Sequence, residues 1–129
     1  VTEVELPFPP SVNHYYRRVG PRTLISREGR AYRDKVCSVL AALGRPLLAG
    51  RLAMAVEAYP PDRRRRDVDN LIKALADALQ HGGAYQDDSQ IDLLAIARRE
   101  PDRGGAVIVR LDQFPIARCP VCGAAWAGA

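Results

Sequence analysis

Between Asp62 and Gln90 the chain reads DRRRRDVDNLIKALADALQHGGAYQDDSQ. Four arginines run into Asp67-Val68-Asp69-Asn70, and Asp87-Asp88-Ser89-Gln90 closes the stretch. Carboxylates at both ends, beside dense positive charge, suit a divalent cation held against a phosphate. Mg²⁺ takes oxygen ligands, usually one or two carboxylates with water and substrate phosphate completing its shell. Arginines hold the phosphodiester backbone in register. Each part alone has a plain structural meaning: Asp-x-Asp-Asn is a helix cap, Asp-Asp-Ser a turn, an arginine run a solvated patch. Together, in this order, they favour a metal-dependent nuclease.

The intervening residues must position these groups. Leu71, Ala74, Leu75, Ala78 and Leu79 recur at helical spacing, which predicts an amphipathic helix. Asp69, Lys73, Asp77 and Gln80 fall on its opposite face. Asp69 is expected as the N-cap. Gly82 and Gly83 are expected to end the helix, letting the chain return antiparallel and bring Asp87 or Asp88 to Asp67 and Asp69.

Upstream, Val4, Leu6 and Phe8 alternate as a short strand. The segment Ser11-Val12-Asn13-His14-Tyr15-Tyr16-Arg17-Arg18 lacks either period and reads as a loop suited to nucleic acid, with arginines for phosphates and Tyr rings for bases or sugars. One of the two tyrosines, Tyr15 or Tyr16, is expected to pack on the core with its hydroxyl outward. Ser26 should cap a helix with an apolar stripe of Tyr32, Val36, Val39, Leu40 and Leu43, ended by Gly44 and Pro46. Strands follow at 52–59, 91–98 and 106–111, the last two joined by a turn at Asp102-Arg103-Gly104-Gly105. The order β-α-β-α-β-β predicts an α/β (α+β) domain, a small mixed sheet with two packed helices.

With 129 residues, 47% of them apolar, the chain supports one core. The net charge of +4 is modest, but its arginines cluster, which points to an anionic partner. No apolar run suits a membrane span and no signal-peptide pattern is evident, so the expected site is the cytoplasm. Three cysteines, an odd number, argue against a disulfide scaffold. Cys119-Pro120-Val121-Cys122-Gly123 is half of a zinc ribbon, and its second half is absent. Residues 115–129 therefore read as a flexible tail, zinc at Cys119 and Cys122, shared between two chains, being the alternative. Removing residues 116–129 is accordingly expected to spare activity.

DRRRRDVDNLIKALADAL followed by GG-x-Y-x-DDSQI closely resembles the RusA family of Holliday-junction resolvases. PFPPSVNHYYRR and SREGRAYRD look like the same family, so the resemblance runs in order from Val4 to Asp112. It implies a RusA-like domain over residues 1–114, acting as a homodimer, bacterial or phage-encoded. It also implies Mg²⁺, with Mn²⁺ as substitute, and symmetric paired nicks in four-way DNA during recombination and repair. Carried over by position, the catalytic aspartates fall on Asp67, Asp69 and Asp88 and the essential lysine on Lys73. Asp87 stands beside the third carboxylate as a further candidate ligand. The DNA contacts would come from Asn13, Tyr15, Tyr16, Arg17, Arg18, Arg63, Arg64, Arg65 and Arg66. Two other classes stay open: a junction-binding protein that does not cut, and a phosphoryl or glycosyl transferase using Asp-x-Asp.

Overall fold

A computed structural model describes residues 2–125. Its organising strand is β4 (Leu52–Tyr59), whose first five residues are all buried. Alternation in the sequence marks Leu52, Met54, Val56 and Ala58 as the core face, and these do pack there. Ala53 and Ala55 are buried as well because β4 is paired on both sides, leaving small side chains between larger neighbours. The four-stranded sheet has the order β1-β6-β4-β5, with β1 at Thr2–Leu6, β5 at Ile91–Arg98 and β6 at Ala106–Gln113. β4 is antiparallel to β6 but parallel to β5.

Parallel neighbours require a crossover, and α3 (Ile72–His81) supplies it. Its Ala74, Leu75, Ala78 and Leu79 are fully buried against β4 and β6 residues in one cluster. The second long helix, α2 (Arg27–Ala42), adds Tyr32, Val36 and Leu40 to that cluster, so the helices cover one sheet face. Across the other face runs a charge network in which Arg110 bonds to Glu3 and Glu57, and Arg99 to Glu57. The mixed sheet with packed helices is the α+β fold expected.

Several local expectations hold. Ser26 caps α2, its Oγ accepting from the Gly29 amide at 2.9 Å. Gly29 is needed for a second reason: a Cβ there would lie 2.4 Å from the Tyr15 carbonyl oxygen. Gly82 caps α3 and Gly83, at φ +89°, turns the chain away from it.

Other expectations are corrected. Residues 11–18 are not a loop: Val12–Tyr15 form a short helix, α1, and Tyr16–Val19 (β2) pairs with Arg22–Ile25 (β3) as an exposed hairpin. Its apolar residues, Tyr16, Val19, Leu24 and Ile25, do not alternate with the polar ones, so no strand period announces it. Phe8 lies beyond the end of β1, and Leu43 is 54% exposed past the end of α2. Asp69 does not cap α3. It lies within a 3₁₀ turn, Val68–Leu71, that precedes the helix and begins after Asp67. After Gly83 the chain reaches Asp87 and Asp88 before β5 begins, and the Asp88 amide bonds to Gln80 in the last turn of α3.

One polar cluster locks the helical layer. Asp77 of α3 accepts from Arg33 of α2 at 2.8 and 2.9 Å, and from the phenol of Tyr15 at the end of α1. Burial first, then the Asp77 carboxylate, push the Tyr15 hydroxyl above its ordinary pKa. Removing Asp77 leaves a guanidinium and a phenol without their acceptor. Asp77→Ala should therefore cost about 1–3 kcal/mol in denaturant unfolding, and Asp77→Asn, which keeps an acceptor, distinctly less. Equal stability of both variants with the wild type would remove the cluster from the account of the fold.

Past β6, Ile116 is only 6% exposed. A deletion starting there removes a packed side chain, whereas none of the described residues from Arg118 to Ala125 is buried. Deletion of residues 116–129 should lower stability by about 2–5 kcal/mol, the range for truncating a buried Ile. Deletion of 118–129 should leave the thermal midpoint unchanged.

Candidate active site

Asp67 follows the arginine run in extended conformation, and its carbonyl accepts from the Asn70 amide at 3.1 Å, starting the 3₁₀ turn. Asp67 and Asp69 are both exposed. They emerge at the C-terminal end of β4, where two grooves of about 530 and 450 Å³ meet. Both grooves are lined by Phe8, Arg64, Arg65, Arg66 and Asp67. The larger also takes in Arg98 and Arg99, the smaller His14 and Asn70. A carboxylate edged by guanidiniums on both sides is a setting in which a cation and a phosphodiester could be held together.

The four arginines are not equivalent. Arg66 is built into the fold: it bonds to Asp62 at 2.7 Å, stacks over Phe8 at 5.7 Å, and its carbonyl accepts from Arg98 at 2.6 Å. This fixes the backbone immediately before Asp67. Arg63 pairs with Glu100 at 3.1 Å, but both side chains are about four-fifths exposed, so the pair contributes little. Arg64 and Arg65 have no ion pair among the described residues and remain available to an anion. Arg98 and Arg99 escaped the sequence reading because a strand end with two arginines looks like an ordinary solvated terminus.

Lys73 is exposed in the first turn of α3 and forms no salt bridge with Asp69 or Asp77. Asp77, the single acid within α3, is committed to Arg33. Asp88 lies at the opposite end of α3, its amide donating to Gln80 at 2.9 Å. Asp87 caps the 3₁₀ turn Asp88–Gln90, accepting from the Ser89 amide at 2.9 Å, which holds its carboxyl below the usual range. The neighbouring Asp88 carboxylate is free of that duty. Gln90 anchors this turn to the loop before β4, donating to the carbonyls of Leu48 and Gly50 at 3.0 and 2.9 Å. Among the described residues, no three His, Cys, Asp or Glu side chains converge as a metal cluster. Asp67 and Asp69 thus precede α3, and Asp88 follows it.

Among the expected DNA contacts, Tyr15 is corrected: its ring is fully buried and cannot meet a base. Tyr16 is the partly exposed member, packed edge-on against Tyr15 with centroids 4.8 Å apart. Asn13 is exposed on α1, and Arg17 and Arg18 are exposed on the hairpin. In the tail, the Cys119 amide donates to Ala124 at 2.7 Å and the Gly123 amide to Cys119 at 2.9 Å, forming a closed turn around the two thiols. Amides of Cys122 and Val121 lower the Cys119 thiol's pKa. Residues 126–129 lie outside the described part. No helix among the described residues is long and apolar enough to cross a membrane.

A family model described as endodeoxyribonuclease RusA matches residues 7–112. The crossover junction endodeoxyribonuclease of Enterobacteria phage 82 is 43% identical over 112 residues, which cover 86% of this chain and 93% of that protein. Its counterpart in Escherichia coli K12 is 42% identical over the same shares. That of Enterobacteria phage HK97 is 38% identical over 110 residues, 84% of this chain and 92% of its own. With the match spanning β4, β5 and nearly all of β6, both long helices and each of the acidic segments, the chain belongs to the RusA family of endodeoxyribonucleases.

Proposed function

We propose that this protein is a Mg²⁺-dependent endonuclease that resolves four-way DNA junctions by a nick in each of two opposed strands. The observation that carries the reading is the position of Asp67 between two arginine-lined grooves. Phosphates along a strand would contact Arg64 and Arg65, with Arg98 and Arg99 on the far wall of the larger groove. Arg17 and Arg18 on the exposed hairpin would extend the contact to a neighbouring arm.

Asp67 and Asp69 suit the cation: both are exposed oxygen donors, and two carboxylates with water match the demands of Mg²⁺. When bound, the cation supplies a nucleophilic water at neutral pH and charge stabilisation for the phosphoryl oxygens. The chain's own part is positioning. The Arg98–Arg66 hydrogen bond holds the Asp67 backbone, and the 3₁₀ turn sets Asp69 beside it. Lys73, unpaired in the first turn of α3, would neutralise charge that grows on the phosphate in the transition state. A junction has near two-fold symmetry, and a two-fold dimer would present one site to each of the opposed strands.

Asp69→Asn is nearly isosteric, and Asp69 is not a helix cap, so folding should be unaffected. Cleavage of a synthetic four-way junction in limiting Mg²⁺ should fall by orders of magnitude while junction affinity stays equal or rises. A mixed dimer of wild-type and Asp69→Asn chains should nick one strand and rarely the other. Wild-type cutting rates in Asp69→Asn would end the carboxylate assignment.

Arg64→Ala with Arg65→Ala should weaken binding to every DNA and reduce the salt slope by about 1–2, since each neutralised phosphate releases a counterion at about 0.9 per contact. An unchanged slope in a salt titration would make the pair a solvated surface.

A further inference from the structure

The family match ends at residue 112, and the cysteine pair Cys119 and Cys122 lies beyond it, unused by the site described above. The Phe114 amide donates to the carbonyl of Arg51, just before β4, at 3.0 Å. The tail therefore leaves from the start of β4, whereas Asp67 and the arginine-lined grooves stand at its end. The eight residues of β4, at about 3.4 Å each, put roughly 25 Å between the two places.

Ile116 is buried and anchors the tail. Two residues on, Arg118 and Ala125 pair as an antiparallel bridge, and the chain between them folds into a tight knuckle. The Cys119 amide donates to the Ala124 carbonyl at 2.7 Å, and the Gly123 amide to the Cys119 carbonyl at 2.9 Å. Gly123 turns the chain at φ +78°, where a Cβ is disfavoured. The Arg118 guanidinium closes the turn by donating to the Gly123 carbonyl at 3.0 Å. Amides of Cys122 and Val121 reach the Cys119 sulfur and favour its thiolate, and the Cys122 thiol lies within hydrogen-bonding reach of it. Both thiols are free, Cys122 exposed and Cys119 half-buried. Two sulfurs held side by side among amide donors suit a thiophilic cation such as Zn²⁺, not Mg²⁺.

One copy supplies two ligands, and a structural zinc site takes four at the corners of a tetrahedron. Among the described residues, no third His, Cys, Asp or Glu joins the pair. Cys37, the remaining cysteine, sits within α2 beside Gly82. A tetrahedron has a two-fold axis that exchanges one pair of corners with the other, so a second, identical knuckle completes the site by symmetry. Four thiolates around Zn²⁺ leave two negative charges in excess. Each copy sets one guanidinium, Arg118, on its own knuckle to offset them.

We propose that the knuckle is a half-site for zinc: Cys119 and Cys122 of two copies together bind one Zn²⁺ and staple the copies through their tails. On binding, each thiol that is still protonated passes its proton to solvent, so acid empties the site. The ion takes no part in cutting, and the inference is independent of the endonuclease reading.

Reduced, metal-free chain is titrated with Zn²⁺ and, in parallel, with Co²⁺. The expected endpoint is one ion per two chains, with the Co²⁺ complex showing the charge-transfer and tetrahedral d–d bands of four sulfur ligands. One ion per chain, or the spectrum of two sulfur ligands, overturns the shared site. In native mass spectrometry Zn²⁺ should travel with pairs of chains; tight Zn²⁺ on a single chain refutes the proposal. Cys119→Ser combined with Cys122→Ser should abolish tight Zn²⁺ binding and leave the circular dichroism spectrum unchanged, and undiminished binding would place the ion elsewhere and end the assignment. Zn²⁺ should raise the thermal midpoint of the full chain but not that of the 118–129 deletion, which is neutral only in zinc-free protein; an equal response of both counts against the staple. If the reduced chain takes up no Zn²⁺ and instead forms a Cys119–Cys122 disulfide in air, the pair is a redox couple and the proposal falls.

Discussion

The parallel pairing of β4 with β5 is the constraint on which the rest depends. Antiparallel neighbours could have been joined by a tight turn; parallel ones oblige the connection to travel back along the sheet. The chain meets that demand with α3, and the apolar stripe of the helix is what covers the core face of β4 and β6. One topological choice therefore buries the central strand, seats the helix and separates the acidic segments. The arginine run and Asp67 are left where β4 ends, and Asp88 where β5 begins.

Charge in this molecule is divided between holding the fold and meeting a ligand. Arg33 is paired with Asp77, Arg66 with Asp62, and Arg110 with Glu3 and Glu57. These guanidiniums are each engaged by carboxylates of the protein itself. Arg64, Arg65, Arg17 and Arg18 keep theirs for solvent or an anion. The distinction explains why net charge alone says little about affinity for DNA: a chain at +4 presents a much more basic local surface wherever the unpaired arginines converge.

The same division applies to the carboxylates. Asp77 and Asp87 serve structure, one as the acceptor for Arg33 and Tyr15, the other as the cap of a turn. Asp67, Asp69 and Asp88 carry no such side-chain duty among the described residues. Carboxylates left free of internal partners are open to ligands from outside, and the grooves beside Asp67 are lined by arginines, the residue type that contacts phosphates.

Much of this was determined by the sequence itself. The Ser26 cap, the stripe of α3, the bounds of β4 and β5 and the family motif are local or contiguous patterns, and short-range sterics and apolar periodicity govern them. The tertiary structure decided what depends on distant partners. The hairpin of β2 and β3 has no apolar alternation and escapes any periodicity. Tyr15 rather than Tyr16 is buried because Asp77, far along the chain, accepts its hydroxyl. Asp69 loses its capping role because Leu71 belongs to the 3₁₀ turn that carries the chain into α3. The direction of β5 beside β4 was equally invisible, since a strand's composition is the same whichever way its neighbour runs. That direction, set by long-range hydrogen bonding and helix packing, places Asp67 where β4 ends and Asp88 where β5 begins, at opposite ends of the paired strands.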